Sequence, residues 1–390
     1  MNRHRLDLGE VQFYWRMADQ PAGRGSPAPA FLPFAFGFEP TLGLLIQERN
    51  PIVAGWLDRV YVEDANVGYL QEGHALSSAY GGAFLEFLDR VIAGRAQRPR
   101  AVADIGCGGV YLLRALKDKG FDVRGVDPSP VTRRAGDKAG IPIVQDFYPL
   151  SRERLNCDLI FHYDVLEHVA DPVAFLRAHR EDLNSGGCIV FAVPDCTETI
   201  RRGDISMVLH EHLNYFDAAS LERTVRASGF RPLLIEQAVY GGVLYCAAAP
   251  DDGAAVSFDP SRDEFEVFSA RVERSVGAFR ALVAPFADSA VPKLGIYVPL
   301  RALPYLSMLK LTAGVRFFDD DAGLKGKYFD GFEPSVENFE GLKAAPVPNI
   351  VAASLVFGGR IAKRIEEQFG TAVQVTPWDA IVAPRSPAEG

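Results

Sequence analysis

A chain of 390 residues with 48% hydrophobic and 23% charged side chains can bury a sizeable core, which excludes a disordered polymer and points to two or three domains. Its formal charge of −9, from 41 basic and 50 acidic side chains, leaves no basic excess for phosphates and argues against nucleic-acid binding. Five scattered cysteines without zinc spacing, a polar amino terminus and no apolar run of membrane-spanning length predict a soluble, reduced, cytoplasmic protein without a membrane partner.

Residues 1–95 read as an N-terminal substrate or lid module. The sequence is charged and polar through Gln12, and 20–33 is rich in Pro, Gly and Ser, a loop composition. An apolar run at 34–46 predicts paired strands, and 79–93 carries Phe84, Leu85, Leu88 and Ile92 at helical spacing. Between them, 61–73 is polar and aromatic, with Tyr69 inside it. It suits either a lid over a ligand or a surface loop.

Residues 96–250 alternate strands and helices as one α/β domain does. An apolar strand at 101–105 runs into Gly106, Gly108 and Gly109, a turn that leaves backbone N–H groups open to a ligand. A helix over 110–119 stops at Gly120, and the next strand, 121–126, ends in Asp127, where an acid can accept both hydroxyls of a ribose. Asp104, two residues before the first glycine, would repel a pyrophosphate but suits a cationic amino-acid ligand.

Strand 141–145 is followed by Asp146 and Phe147, a polar and aromatic pair fit to hold an adenine by its amino group and its face. Strand 158–162 leads into Tyr163, Asp164 and the string Leu166-Glu167-His168-Val169. Asp171-Pro172 opens a helix with a capping acid and a proline at its first position. Strand 188–193, helix 217–228 and a hairpin of 233–238 with 243–249 complete the pattern.

Between strand 188–193 and that helix lies a long connection, 194–216, and long connections at the carboxyl edge of such a sheet are usually functional. It holds His210, Glu211, His212, Asn214 and Tyr215 within six residues. A His-x-His pair without further ligands is weak for zinc, so no metal is assigned.

Asp104, Gly106 and Gly108 meet the Asp-x-Gly-x-Gly motif of the class I S-adenosylmethionine-dependent methyltransferases, which this region resembles. The resemblance implies a Rossmann-like domain with a mostly parallel seven-stranded sheet and S-adenosylmethionine as cofactor. It implies ribose binding by Asp127, and a methionine end lined by the segment from Tyr163 and Asp164 onward.

An acidic, proline-bearing run at 250–260 marks a boundary. Beyond it, 262–286 is amphipathic through Phe265, Phe268, Val272, Val276, Phe279 and Val283, a helix long enough to strap two domains together. Strands at 293–298, 315–318, 350–356 and 371–375, with helices at 300–311 and 359–369, make 261–390 a smaller Rossmann-like domain with its linking helix. Its first turn, 295–301, has bulky residues where a pyrophosphate site needs glycines, so it reads as a substrate or scaffold domain.

This three-part layout resembles the nucleotide-linked deoxysugar C-methyltransferases. The string from His210 to Phe216 is similar to that family's His-Glu-His-Leu-Ser/Asn-Tyr-Phe, and Asp319-Asp320-Asp321 with Lys325-Gly326-Lys327-Tyr328 is similar to its carboxyl-terminal motif. The resemblance implies His212 as catalytic base on a nucleotide-linked keto-sugar. Glu211 and Tyr215 would assist the chemistry, and Tyr69, His210 and Asn214 would bind substrate. Two departures stand out: no cysteine precedes Cys107, so the family's N-terminal zinc is not carried over, and its carboxyl-terminal Gly-x-Gly turn is missing. An O- or N-methyltransferase of another small metabolite, or a non-catalytic scaffold, remain the rival readings.

Overall fold

The structure is a computed structural model that describes residues 4–14, 17–21, 28–63, 75–253, 264–286 and 291–382. Three sheets organise it. The central one has seven strands in the order Phe230–Gln237, Val243–Pro250, Leu183–Pro194, Cys157–Tyr163, Ala101–Ile105, Asp122–Val126 and Ile143–Val144. Only Val243–Pro250 runs against the rest.

Its strands alternate between two buried faces, as a sheet covered on both sides requires. Val102, Leu159, Phe161 and Val190 pack on one face with Phe84 and Phe87 of the helix Ala75–Ala93. Ala103, Ile105, Ile160 and Phe191 pack on the other with Leu176 and Leu221. Every helix connection thus returns the chain to the same edge, where the strand carboxyl ends collect.

The amino-terminal sheet has the order Arg5–Gln12, Phe31–Glu39, Leu44–Gln47 and Asn214–Tyr215. Its last strand is supplied by the long connection of the central domain, with Asn214 opposite Ile46 and Tyr215 opposite Leu45. The carboxyl-terminal sheet is wholly parallel, in the order Val336–Glu337, Val315–Phe318, Leu294–Tyr297, Asn349–Ala352 and Gln374–Pro377.

One core joins these two outer sheets. Leu8 and Phe36 of the first, Phe268 and Phe279 of the helix Glu264–Val283, Ile296 of the second, and Tyr305 and Trp378 from the segments that follow its strands share a single buried cluster. Asp204, buried where they meet, accepts from Ser206 N at 2.9 Å, the Tyr305 hydroxyl at 3.0 Å and Trp378 Nε1 at 2.9 Å. Close approach explains one glycine: a Cβ on Gly203, whose φ is +64°, would lie 2.3 Å from the backbone of Arg271.

Several expected bounds move. The strand Phe31–Glu39 begins inside the segment read as loop, strand 141–145 shrinks to Ile143–Val144, and strand 188–193 begins earlier, at Leu183. Arg5–Gln12 was read as merely polar because Gly9, at φ +73°, shifts the register between Asp7 and Gly9 and breaks the alternation of Leu6 and Leu8 before Val11. The helix Pro51–Glu63 has no counterpart in the sequence reading, and its end takes up the first residues of the 61–73 segment. Tyr69 lies outside the described residues.

Candidate active site at the carboxyl edge of the central sheet

The strand Ala101–Ile105 runs between Asp122–Val126 and Cys157–Tyr163, so the turn after it opens at the middle of the edge. Gly106 and Gly108 both have left-handed φ, +71° and +51°, and a Cβ on Gly106 would strike Val165 Cγ2 at 2.7 Å. Asp127 braces this turn: it accepts from Gly108 N at 3.0 Å and from Ser129 N at 2.8 Å. Burial raises its carboxyl, and those N–H groups counter the rise.

Asp104 is 2% exposed, and burial together with the charge of Asp127 holds its carboxyl well above the usual range. A buried acid without a cation beside it fits a ligand that brings an ammonium group, and a strand-end acid beside an open glycine turn fits a ribose. Asp146 and Phe147 continue the same edge beyond Ile143–Val144. Phe147 is 57% exposed, and its N–H donates to Asp146 Oδ1 at 2.8 Å. On the other side Tyr163 ends its strand, its hydroxyl 2.8 Å from that of Tyr240, and Asp164 turns the chain with φ +54°. All eight residues read as cofactor-binding therefore follow one edge, and this donor set fits S-adenosylmethionine.

The long connection is clamped against the turn Leu166–His168. Leu213 N donates to Glu167 O at 2.7 Å, and the Asn214 amide donates to Leu166 O at 3.2 Å and Val169 O at 2.7 Å. With its nitrogen toward the loop, the Gln47 amide donates to the carbonyls of His210 at 2.9 Å and His212 at 3.1 Å. These bonds, with the strand pairing, fix His212 above the edge.

His168 Nδ1 lies 2.8 Å from Glu211 O, and because a carbonyl only accepts, that nitrogen carries the proton and the lone pair is on Nε2. The rings of His168 and His212 lie 5.0 Å apart at 74°. Glu167 Oε1 is 3.7 Å from His168 Nε2. Glu167 is 1% exposed, and neither carboxyl oxygen has a hydrogen-bond partner. Burial, then Asp164, pushes this acid well above its ordinary range. Burial also pushes His212 well below its ordinary value, with help from His168 and from the guanidinium of Arg301, so its imidazole is neutral near pH 7.

Three residues read from the same string have other tasks. His210 is 1% exposed, turned away from the edge, with Nε2 donating to Leu32 O at 3.1 Å and its ring against Phe13 and Phe34; burial lowers it to about 4. The Tyr215 hydroxyl is buried and donates to Leu209 O at 3.2 Å. Asn214 holds the two carbonyls named above. His210 Nε2, the Asn214 amide and the Tyr215 hydroxyl thus all donate to backbone carbonyls and hold the loop. Glu211 remains at the site, its charge adding to the rise of Glu167.

Glu167 and His168 are neighbours of His212. Both stand in the Leu166-Glu167-His168-Val169 string, so the residues were visible and only their partner was not. Arg301, in the helix Pro299–Met308, donates to Ser206 O at 3.4 Å and brings the carboxyl-terminal sheet to the site, a contact no local pattern announces.

A family model described as a methyltransferase domain matches residues 78–235. Among curated proteins, the ubiquinone biosynthesis O-methyltransferase of Cereibacter sphaeroides is 38% identical over 96 residues, covering 22% of this chain and 38% of that protein. The protein of the same name from Azorhizobium caulinodans is 28% identical over 187 residues, covering 43% and 65%. The chain thus spans less than two thirds of the length of either relative. The crystal structure of Burkholderia thailandensis 1,6-didemethyltoxoflavin-N1-methyltransferase, with bound 1,6-didemethyltoxoflavin and S-adenosylhomocysteine, is 14% identical, covers 56% of this chain and 96% of its own, and has a TM-score of 0.39. Residues 78–235 are thus similar to a methyltransferase domain, and the same stretch carries most of the seven-stranded order with its single reversed strand.

Proposed function

We propose that the whole chain methylates a carbon next to the ketone of a nucleotide-linked deoxysugar, with His212 as the base. The observation that carries this reading is the position of His212, held beside His168 at the carboxyl edge by backbone bonds on both sides of it. S-adenosylmethionine supplies a methyl group on a positively charged sulfur, which a carbon nucleophile displaces as a neutral thioether. His212 accepts the proton from the carbon beside the ketone, and the C–H electron pair becomes the enolate that attacks. Glu211 orients the base or a sugar hydroxyl. Asp127 takes the ribose hydroxyls, Asp104 and Asp164 face the amino-acid end, and Asp146 with Phe147 holds the adenine.

In this reading 1–95 covers the substrate, 96–250 binds the cofactor and 261–390 supports the substrate from the far side, with Arg301 nearest the base. All five cysteines are unpaired, which suits the cytoplasm. Among the described residues no helix is long and apolar enough to cross a membrane.

His212→Asn is expected to keep cofactor affinity while lowering turnover about 100- to 10,000-fold, the range for a lost general base. The assay is methyl transfer to a panel of nucleotide-linked keto-deoxysugars and of phenols, with the labelled methyl located by carbon NMR. Label on oxygen would replace the C-methylation reading with O-methylation, and a His212→Asn enzyme of undiminished rate would remove the base.

A further inference from the structure

A proton acceptor needs one imidazole with a way out for the proton, and the site holds more. Glu167, His168 and His212 each offer one ligand atom, and these atoms lie within 4.8 Å of one another. An ion at about 2.0–2.2 Å from nitrogen and oxygen ligands would draw them together by small side-chain rotations. Glu167 is buried with neither carboxyl oxygen hydrogen-bonded, and a bound cation would supply the partner that an ionised carboxylate there requires.

His168 has the orientation that ligating histidines adopt. One ring nitrogen donates its proton to a backbone carbonyl, here Glu211 O at 2.8 Å, and the other presents its lone pair. The carboxyl of Asp164 lies near Glu167, with burial pushing it up to about 7, while the guanidinium of Arg301 opposes a cation on the His212 side. Two imidazoles and one carboxylate suit zinc or cobalt and are a poor match for magnesium or calcium, which take oxygen ligands.

We propose that Glu167, His168 and His212 bind one divalent ion of the zinc class, and that this ion and the substrate proton compete for the His212 lone pair. A nitrogen that ligates a metal cannot accept a proton, so the loaded enzyme is held inactive. The inhibition rests on His212 being the base; the binding does not.

The test uses the full chain, stripped with a chelator and titrated with Co²⁺, whose visible absorption reports nitrogen and oxygen ligation, followed by displacement with Zn²⁺. One saturable ion per chain is expected. Glu167→Gln, which preserves shape, and His168→Ala should each weaken it at least tenfold while circular dichroism and cofactor affinity stay the same. Absence of a saturable site, or affinity untouched in both variants, overturns the binding. In the activity arm the stripped enzyme should turn over fully and Zn²⁺ should inhibit competitively with substrate. A stripped enzyme that is inactive and regains activity with the ion would overturn the competition and the role of His212 as base, yet leave the ion site standing.

Discussion

The central and carboxyl-terminal sheets are both doubly wound and both present strand carboxyl ends to one edge, yet the two edges are built differently. After the central strand Ala101–Ile105 the chain turns through glycines, and Asp104 is buried beside the open turn with no ion pair among the described residues. After Leu294–Tyr297 the chain turns through Val298, at φ +60°, and Pro299. There the strand-end groups satisfy each other: the Tyr297 hydroxyl donates to Asp320 Oδ1 at 2.6 Å, and Arg364 pairs with Asp320 at 2.8 Å. Sheet topology makes both edges, and unneutralised acids beside glycine distinguish the central one.

The sharpest way to break this contrast is at Asp127. Asp127→Ala removes the proposed acceptor for two ribose hydroxyls and the brace on Gly108 N. Charged hydrogen bonds contribute roughly 1.5–3 kcal/mol each, so S-adenosylmethionine affinity should fall by about 3–6 kcal/mol. Calorimetry decides it, and an unchanged affinity would move the ribose elsewhere.

A second difference lies beneath the sheets. The central sheet buries His162 and His179, whereas no histidine occurs after His212. His179 donates from Nδ1 to Phe175 O at 2.8 Å, its Nε2 has no partner, and its ring lies 5.5 Å from His162 and 4.8 Å from Tyr148, which donates to Asp182. Burial lowers His179 to about 4. Below pH 6.5 the unfolded chain takes up a proton that the folded chain refuses. The stability is therefore full above pH 6.5, declines as pH falls toward 4, and amounts to about 3 kcal/mol in all. The raised carboxyl of Asp104 works in the opposite direction, so the readout is a difference: His179→Gln should flatten the wild-type slope in denaturant titrations between pH 6.5 and 4. Amide exchange in acid should rise first in the central strands. Equal slopes in variant and wild type would mean that His179 is protonated in the folded state.

What could be read from the sequence follows from range. The central glycine turn and its two acids are a local code, and Val315–Phe318 was expected at its observed bounds because an apolar run ending in three acids punctuates itself. Asn214–Tyr215 as a strand was hidden because its pairing partner, Leu44–Gln47, lies far back in the chain and a two-residue strand has no period. The different fates of His210 and His212 were hidden for a related reason. The turn closed by His212 N to Leu209 O at 3.0 Å sends one ring into the amino-terminal sheet and the other to the catalytic edge. No spacing rule anticipates that.

The smallest expected effect is the most telling about the second sheet. Arg364 and Asp320 are 40% and 51% exposed in their side chains, and a solvent-screened pair of this kind contributes about 1 kcal/mol or less. The guanidinium also lies 4.2 Å from the ring centre of Phe339, an exposed cation–π contact of similar size. Arg364→Ala should therefore lower stability by about 1 kcal/mol and leave cofactor affinity, KM for the methyl acceptor and turnover within about twofold. The variant releases Asp320 and Tyr297 from their cation without disturbing the glycine turn of the central sheet. If KM instead rose tenfold with turnover unchanged, Arg364 would be holding substrate, and the two edges would differ in what they bind and no longer in whether they bind.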